Sequence, residues 1–150
     1  MNDKEDSPLE WSDALLLGYA PMDARHEEFV SVVSALEVAS DADLPQRLEA
    51  VADHLRAHFE EENRWMTESE FPARGCHVDE HDAVLRSLEQ VQSLLAGGDF
   101  SECRRLAKEL ARWFPGHADY MDAALAHWMF KRDTGGKPVI LRRSIGMNLT

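Results

Sequence analysis

HFEEENRWM, residues 58–66, sets a histidine and a glutamate four residues apart inside an apolar helical stripe. Leu48, Val51 and Leu55 precede the pair at helical spacing and Met66 follows it, so His58 and Glu62 fall on the face that a helix turns inward. Residues four apart stand one turn apart on that face, and both side chains therefore address one centre. Burying an imidazole and a carboxylate without partners costs several kcal/mol per ion, whereas a shared metal ion converts the cost into ligation energy.

The same interruption recurs along the chain. His77 and His81 open a stripe that continues through Val84, Leu88, Val91 and Leu95; His26 precedes Phe29, Val30, Val33 and Leu36; His117 and Asp122 sit among Leu106, Leu110, Trp113, Met121 and Leu125. Together these are five imidazoles and two carboxylates, enough for two metal ions bridged by the carboxylates and closed on their outer faces by imidazole.

Breakers divide the chain into four helices and leave no alternating stretch suited to a strand. The first is expected from Asp23, as N-cap after Pro21, to about Val38. The second begins near Leu44 with Pro45 in its first turn and ends before Pro72; the third runs from Arg74 to Ala96 and stops at Gly97 and Gly98. The fourth spans about Ser101 to Phe130, and Gly135 with Gly136 releases a tail. Residues 1–20, with Trp11 and the Leu15–Leu17 cluster, read as an arm folded back over the apolar faces.

Short joints make neighbouring helices antiparallel, so the expected fold is all-α: an up-down-up-down four-helix bundle over 1–132, with an N-terminal arm and a basic C-terminal tail over 133–150. In that order the seven polar residues share one end of the bundle, where scattered histidines would have no reason to meet. The pair His117 and Asp122 strains the scheme, because five residues of ideal helix turn Asp122 about 140° away from His117. Pro115 withholds a helix hydrogen bond and crowds the Ala111 carbonyl, so irregular helix is predicted within 111–122, widened as in a π-type turn.

Composition excludes several classes of function. With 150 residues, 44% hydrophobic and 29% charged, the chain has material for one domain with a core. Its longest apolar run, Ala14 to Met22, is interrupted by Gly18 and Pro21 and is too short to span a bilayer. The start, MNDKEDSP, lacks the basic and apolar segments of a secretory signal, so a cytoplasmic location is expected. Residues 1–130 carry 11 basic and 27 acidic side chains, a body that repels nucleic acid and anionic lipid. Lys131, Arg132, Lys137, Arg142 and Arg143 form a solvated cationic tail, or alternatively a docking element for an acidic protein surface. Cys76 and Cys103 fit neither a zinc site nor a disulfide framework and read as free thiols.

Four segments together resemble the hemerythrins, in particular the bacterial hemerythrin-like proteins. They are the entry from Trp11 through Gly18 to Met22-Asp23-Ala24-Arg25-His26, the quoted HFEEENRWM, His77-x-x-x-His81, and Trp113 followed by His117-x-x-x-x-Asp122. The resemblance covers about residues 10–130. It implies a non-haem di-iron centre in which His77, His81 and His117 bind one iron and His26 and His58 the other. Glu62 and Asp122 would bridge both ions beside an oxo or hydroxo bridge, leaving the second iron an open position for dioxygen. Trp113 and Phe114 would line that pocket, Phe114 standing where the family commonly has leucine.

The implied activity is reversible dioxygen binding for transport, storage or delivery, rather than catalysis, by a monomer or weak dimer. An oxygen or redox sensor, or an enzyme reducing peroxide or nitric oxide, is the alternative at the same iron pair. The chain contains no Glu-x-x-His, the motif of carboxylate-rich di-iron bundles, and its imidazole-rich donor set suits reversible binding better than oxidation. Asn63 stands where relatives usually carry a second acid and is read either as hydrogen-bonded to a ligand imidazole or as solvent-facing. His54, one turn before His58, reads either as an outer partner of that ligand or as a packed or partly exposed histidine; His127 reads as structural.

Overall fold

The structure, a computed structural model, describes residues 7–135. Four helical rods follow one another: α1 (Ala20–Glu37), α2 (Leu44–Glu68), α3 (Arg74–Ala96), and a long fourth rod made of α4 (Ser101–His117), a π turn (Ala118–Asp122) and α5 (Ala123–Thr134). Each rod packs against its neighbours in sequence, and α4 closes the ring against α1. This is the four-helix bundle expected of short joints and amphipathic stripes. No described helix is long and apolar enough to cross a membrane.

Helix ends follow local chemistry, with one correction. Pro45 lies in the first turn of α2, and α3 closes with Gly98 in the left-handed region at φ +95°. There the N–H of Gly98 donates to the Leu95 carbonyl and that of Asp99 to the Leu94 carbonyl, both at 2.9 Å. The first rod begins at Ala20 rather than at Asp23, because Pro21 fits the first turn of a helix, where its missing N–H is no loss. Asp23 instead reaches back. Its carboxylate accepts the N–H of Leu17 at 2.8 Å and of Gly18 at 3.1 Å, tying the arm to the helix, and Gly18 turns the chain at φ +89°.

The arm contributes a 3₁₀ turn (Asp13–Leu15), and Leu9, Trp11 and Leu15 pack on the core while Leu16 remains half exposed. The Leu9 N–H donates to the Glu37 carboxylate at 2.8 Å, anchoring the arm to the far end of α1. At its other end the last rod stops at Gly135, in the left-handed region, so the boundary expected between 132 and 133 falls in the final helical turn. The tail from 136 onward, with Lys137, Arg142 and Arg143, lies outside the described residues, as do residues 1–6 of the arm.

The apolar interior is divided in two. The larger cluster runs from Phe29 and Val30 through Leu55, Phe59 and Leu88 to Leu110 and Phe114. The smaller one joins Met22, Met66, Phe71, Leu125, Ala126 and Met129. On every rod the break between them is occupied by the polar residues singled out above: His26 lies between Met22 and Phe29, Glu62 between Phe59 and Met66, and His117 with Asp122 between Phe114 and Leu125. A polar layer thus crosses the bundle between two apolar ones.

Candidate metal centre

Seven side chains fill that layer, and all are buried: His26, His58, Glu62, His77, His81, His117 and Asp122. Four residues of regular helix align His58 with Glu62 and His77 with His81. The fourth rod needs its π turn, in which the N–H of Ala123 bonds the carbonyl of Ala118, five residues back. The wider turn absorbs the extra residue between His117 and Asp122 and returns both to one face, with His117 Nε2 3.1 Å from Asp122 Oδ1. The irregularity lies inside the interval predicted from Pro115.

The two carboxylates divide their oxygens between two groups of imidazoles. On one side Glu62 Oε1 lies 3.2 Å from His81 Nε2 and 3.5 Å from His77 Nε2, while Asp122 Oδ1 lies 3.0 Å from His77 Nε2. On the other side Glu62 Oε2 lies 3.1 Å from His58 Nε2 and 3.5 Å from His26 Nε2, while Asp122 Oδ2 lies 3.0 Å from His26 Nε2. Donor atoms of Glu62, His77, His81, His117 and Asp122 lie within 4.8 Å of one another, as do those of His26, His58 and Glu62. Adjacent donors on an octahedron with bonds of ~2.1 Å stand about 3.0 Å apart, close to these separations.

These atoms approach closely yet do not satisfy each other. The Nε2 atoms of His26, His77, His81 and His117 and all four oxygens of Glu62 and Asp122 are buried without a hydrogen-bond partner. Buried polar atoms are ordinarily paired, so donor atoms aimed at two common points are the arrangement a pair of cations satisfies. The carboxylates also draw positive charge into the layer, as protons where no metal is bound. Burial lowers the His26 and His77 pKa values, but the carboxylates of Asp122 and Glu62 outweigh it and raise both to about 9. Burial opposes ionisation of Glu62 and Asp122 as well, yet the surrounding imidazoles hold both well below the usual carboxylate range.

An outer ring of contacts orients the imidazoles. His81 Nδ1–H donates to Asn63 Oδ1 at 2.8 Å, which settles the two readings of Asn63 in favour of the hydrogen-bonded one. Phe59 stacks on the His81 ring at 4.0 Å and 7°. Glu80 was not singled out in the sequence: its Oε1 accepts His117 Nδ1–H and the Trp113 indole N–H, each at 2.8 Å. Asp79, Glu80 and Asp82 all flank the two histidines of α3, and no local signal distinguishes Glu80, whose partners come from another rod.

Of the two residues expected to line the dioxygen pocket, Phe114 meets the His26 ring edge-on at 5.1 Å and packs on Phe29, while Trp113 stacks on His117 at 4.3 Å. His54 stacks on His58, with ring centroids 5.5 Å apart, and burial pushes its pKa down to about 4. His127 is exposed, and the two thiols are free, Cys76 at the surface and Cys103 buried.

The comparisons agree with this architecture. Residues 17–128 match the family described as Hemerythrin HHE cation binding domain. The chain is also 42% identical over 124 residues to a bacteriohemerythrin of Ralstonia nicotianae (strain ATCC BAA-1114 / GMI1000), an alignment covering 83% of this chain and 90% of that protein. No solved structure gives a significant match. A match across the layer that holds all seven polar residues, together with a relative aligned over nearly its whole length, places the chain in the hemerythrin family, to which it belongs.

Proposed function

We propose that the seven buried side chains ligate a pair of iron ions and that the chain binds dioxygen reversibly at that centre. His77, His81 and His117 hold one ion, His26 and His58 the other, and Glu62 and Asp122 bridge them. The observation carrying this reading is the division of the carboxylates, Oε1 with Oδ1 toward three imidazoles and Oε2 with Oδ2 toward two. Three imidazoles and two oxygens supply five donors to one ion, and two imidazoles and two oxygens supply four to the other. The ion held by the second group would therefore have one protein donor fewer than its neighbour. The iron pair supplies the electrons and the open position that dioxygen requires.

The chain's own part is to shape and dry the surroundings. Phe29 and Phe114 wall the His26 side with apolar rings, and Phe59 with Trp113 covers the three-imidazole side. Among the described residues the carboxylates in ion-pair contact with His26 are Glu62 and Asp122, both already engaged in the layer, which favours release of the ligand over its reduction.

The test is an iron count together with visible spectra of the purified chain, after dithionite reduction and again after exposure to air. Two irons per chain and a charge-transfer band that appears in air and disappears under argon are expected. Fewer than one iron, or a band that never reverses, overturns the reading.

A further inference from the structure

The histidines of the cluster are not held alike. On the three-imidazole side, His117 Nδ1–H donates to the carboxylate of Glu80 and His81 Nδ1–H to the neutral amide of Asn63, both at 2.8 Å. The Nδ1 atoms of His26, His58 and His77 have no hydrogen-bond partner among the described residues. Glu80 is therefore the one described carboxylate that accepts from the outer nitrogen of a cluster imidazole. Its oxygen holds two donors at once, His117 and Trp113, whose rings are themselves stacked, so His117 is fixed in tautomer, tilt and rotation.

A carboxylate behind a ligand imidazole does more than aim it. By drawing on the Nδ1 proton it leaves the ring richer in electrons and the inward Nε2 a stronger donor. Its negative charge also favours the more highly charged state of a nearby ion. An amide in the same place orients the ring but adds no charge. The two contacts form a charged and a neutral version of one device on the same side of the layer.

We propose that Glu80 is a positioning residue that, through His117, sets the ferric-to-ferrous preference of the ion held by His77, His81 and His117, while Asn63 keeps the matching contact on His81 electrically neutral. This rests on the di-iron reading above. Glu80→Gln keeps an acceptor and removes a charge, so it raises the midpoint potential of the centre; Asn63→Asp adds a charge and lowers it. A change on the order of tenfold in ferric-to-ferrous preference, or ~59 mV for a one-electron couple, is expected in each direction. A purely structural role has no reason to move the two variants oppositely.

The experiment is a spectroelectrochemical titration of the iron-loaded full chain and both variants with an iron count on each. Hydrogen exchange of the Trp113 indole N–H is followed in parallel by NMR on metal-free protein. Both variants are expected to hold two irons, and Glu80→Ala to speed Trp113 N–H exchange by about tenfold or more, with Glu80→Gln restoring much of the protection. Midpoints that stay put, or move the same way in both variants while two irons remain bound, overturn the proposal and leave the di-iron reading intact. A wild-type chain that takes up no iron sinks both. Trp113 exchange unchanged in Glu80→Ala removes the positioning role itself.

Discussion

His77 reaches both carboxylates of the layer, Asp122 at 3.0 Å and Glu62 at 3.5 Å, so truncating it removes one donor and uncovers two buried charges. His77→Ala is expected to lose iron from the three-imidazole side and to lower the stability of the bundle by about 3 kcal/mol, read by metal analysis and denaturant titration. Protonation follows from the same contacts. With His26 and His77 raised to about 9 by the carboxylates, both carry protons at pH 7 when no cation lies between them. Iron binding must expel those protons, so loading should acidify a weakly buffered solution and tighten as pH rises. A pH-stat titration that registers no acid release contradicts the assignment of these two imidazoles.

The metal-free chain should respond to pH with the opposite sign. A histidine whose folded pKa lies above its unfolded value of 6.5 contributes stability in full below 6.5 and loses it as pH rises through the folded value. His26, His77 and His117 are all raised, whereas His81 and His54 are lowered and change their contribution only below 6.5. The thermal midpoint of metal-free protein is therefore expected to fall between pH 6.5 and 9. A midpoint that climbs across that window would falsify the charge pairing described for the layer.

Among the elements, the π turn is the one whose geometry the site demands. It holds one residue more than an α-helix would between the same two ends, and Tyr120, 83% exposed, is the residue with least to lose. Deleting Tyr120 shortens the spacing from five to four, which ordinary helix accommodates on one face, so the variant should keep its fold and still load iron. Exchanging Met121 and Asp122 in the full-length chain changes the spacing without changing the turn, and should cost iron on both sides of the layer. Iron content and far-ultraviolet dichroism of the two variants check the pair of outcomes. Loss of iron in the deletion with retention in the exchange would reverse the account.

For the molecule as a whole, the polar layer separates a large apolar cluster from a small one of Met22, Met66, Phe71, Leu125, Ala126 and Met129. Side chains from all four rods meet in the layer, so a metal bound there should couple the smaller end to the larger. Removing iron is expected to speed amide hydrogen exchange in α5 and the start of α1 well before it affects Val51 and Leu55 in α2. Uniform loss of protection along every rod would show instead that the bundle opens as a single unit.

What the amino-acid sequence determined by itself was periodic and local. The spacing of apolar residues placed the stripes of all four rods, proline and glycine marked the joints, and histidines breaking into those stripes marked the layer, since each of these signals acts within a few residues of its own position. Even the widened turn is legible, because a step of five residues from His117 to Asp122 does not fit an α-helical face. The start of α1 lies at Ala20 and not at Asp23, whose carboxylate fits a cap by type but serves the preceding arm. Only the tertiary structure decided which oxygen of Glu62 and Asp122 faces which imidazole, that Glu80 and not Asp79 or Asp82 supports His117, and that Asn63 turns toward His81. Those choices depend on how neighbouring rods rotate against one another, and that rotation is set by packing between segments far apart in the chain.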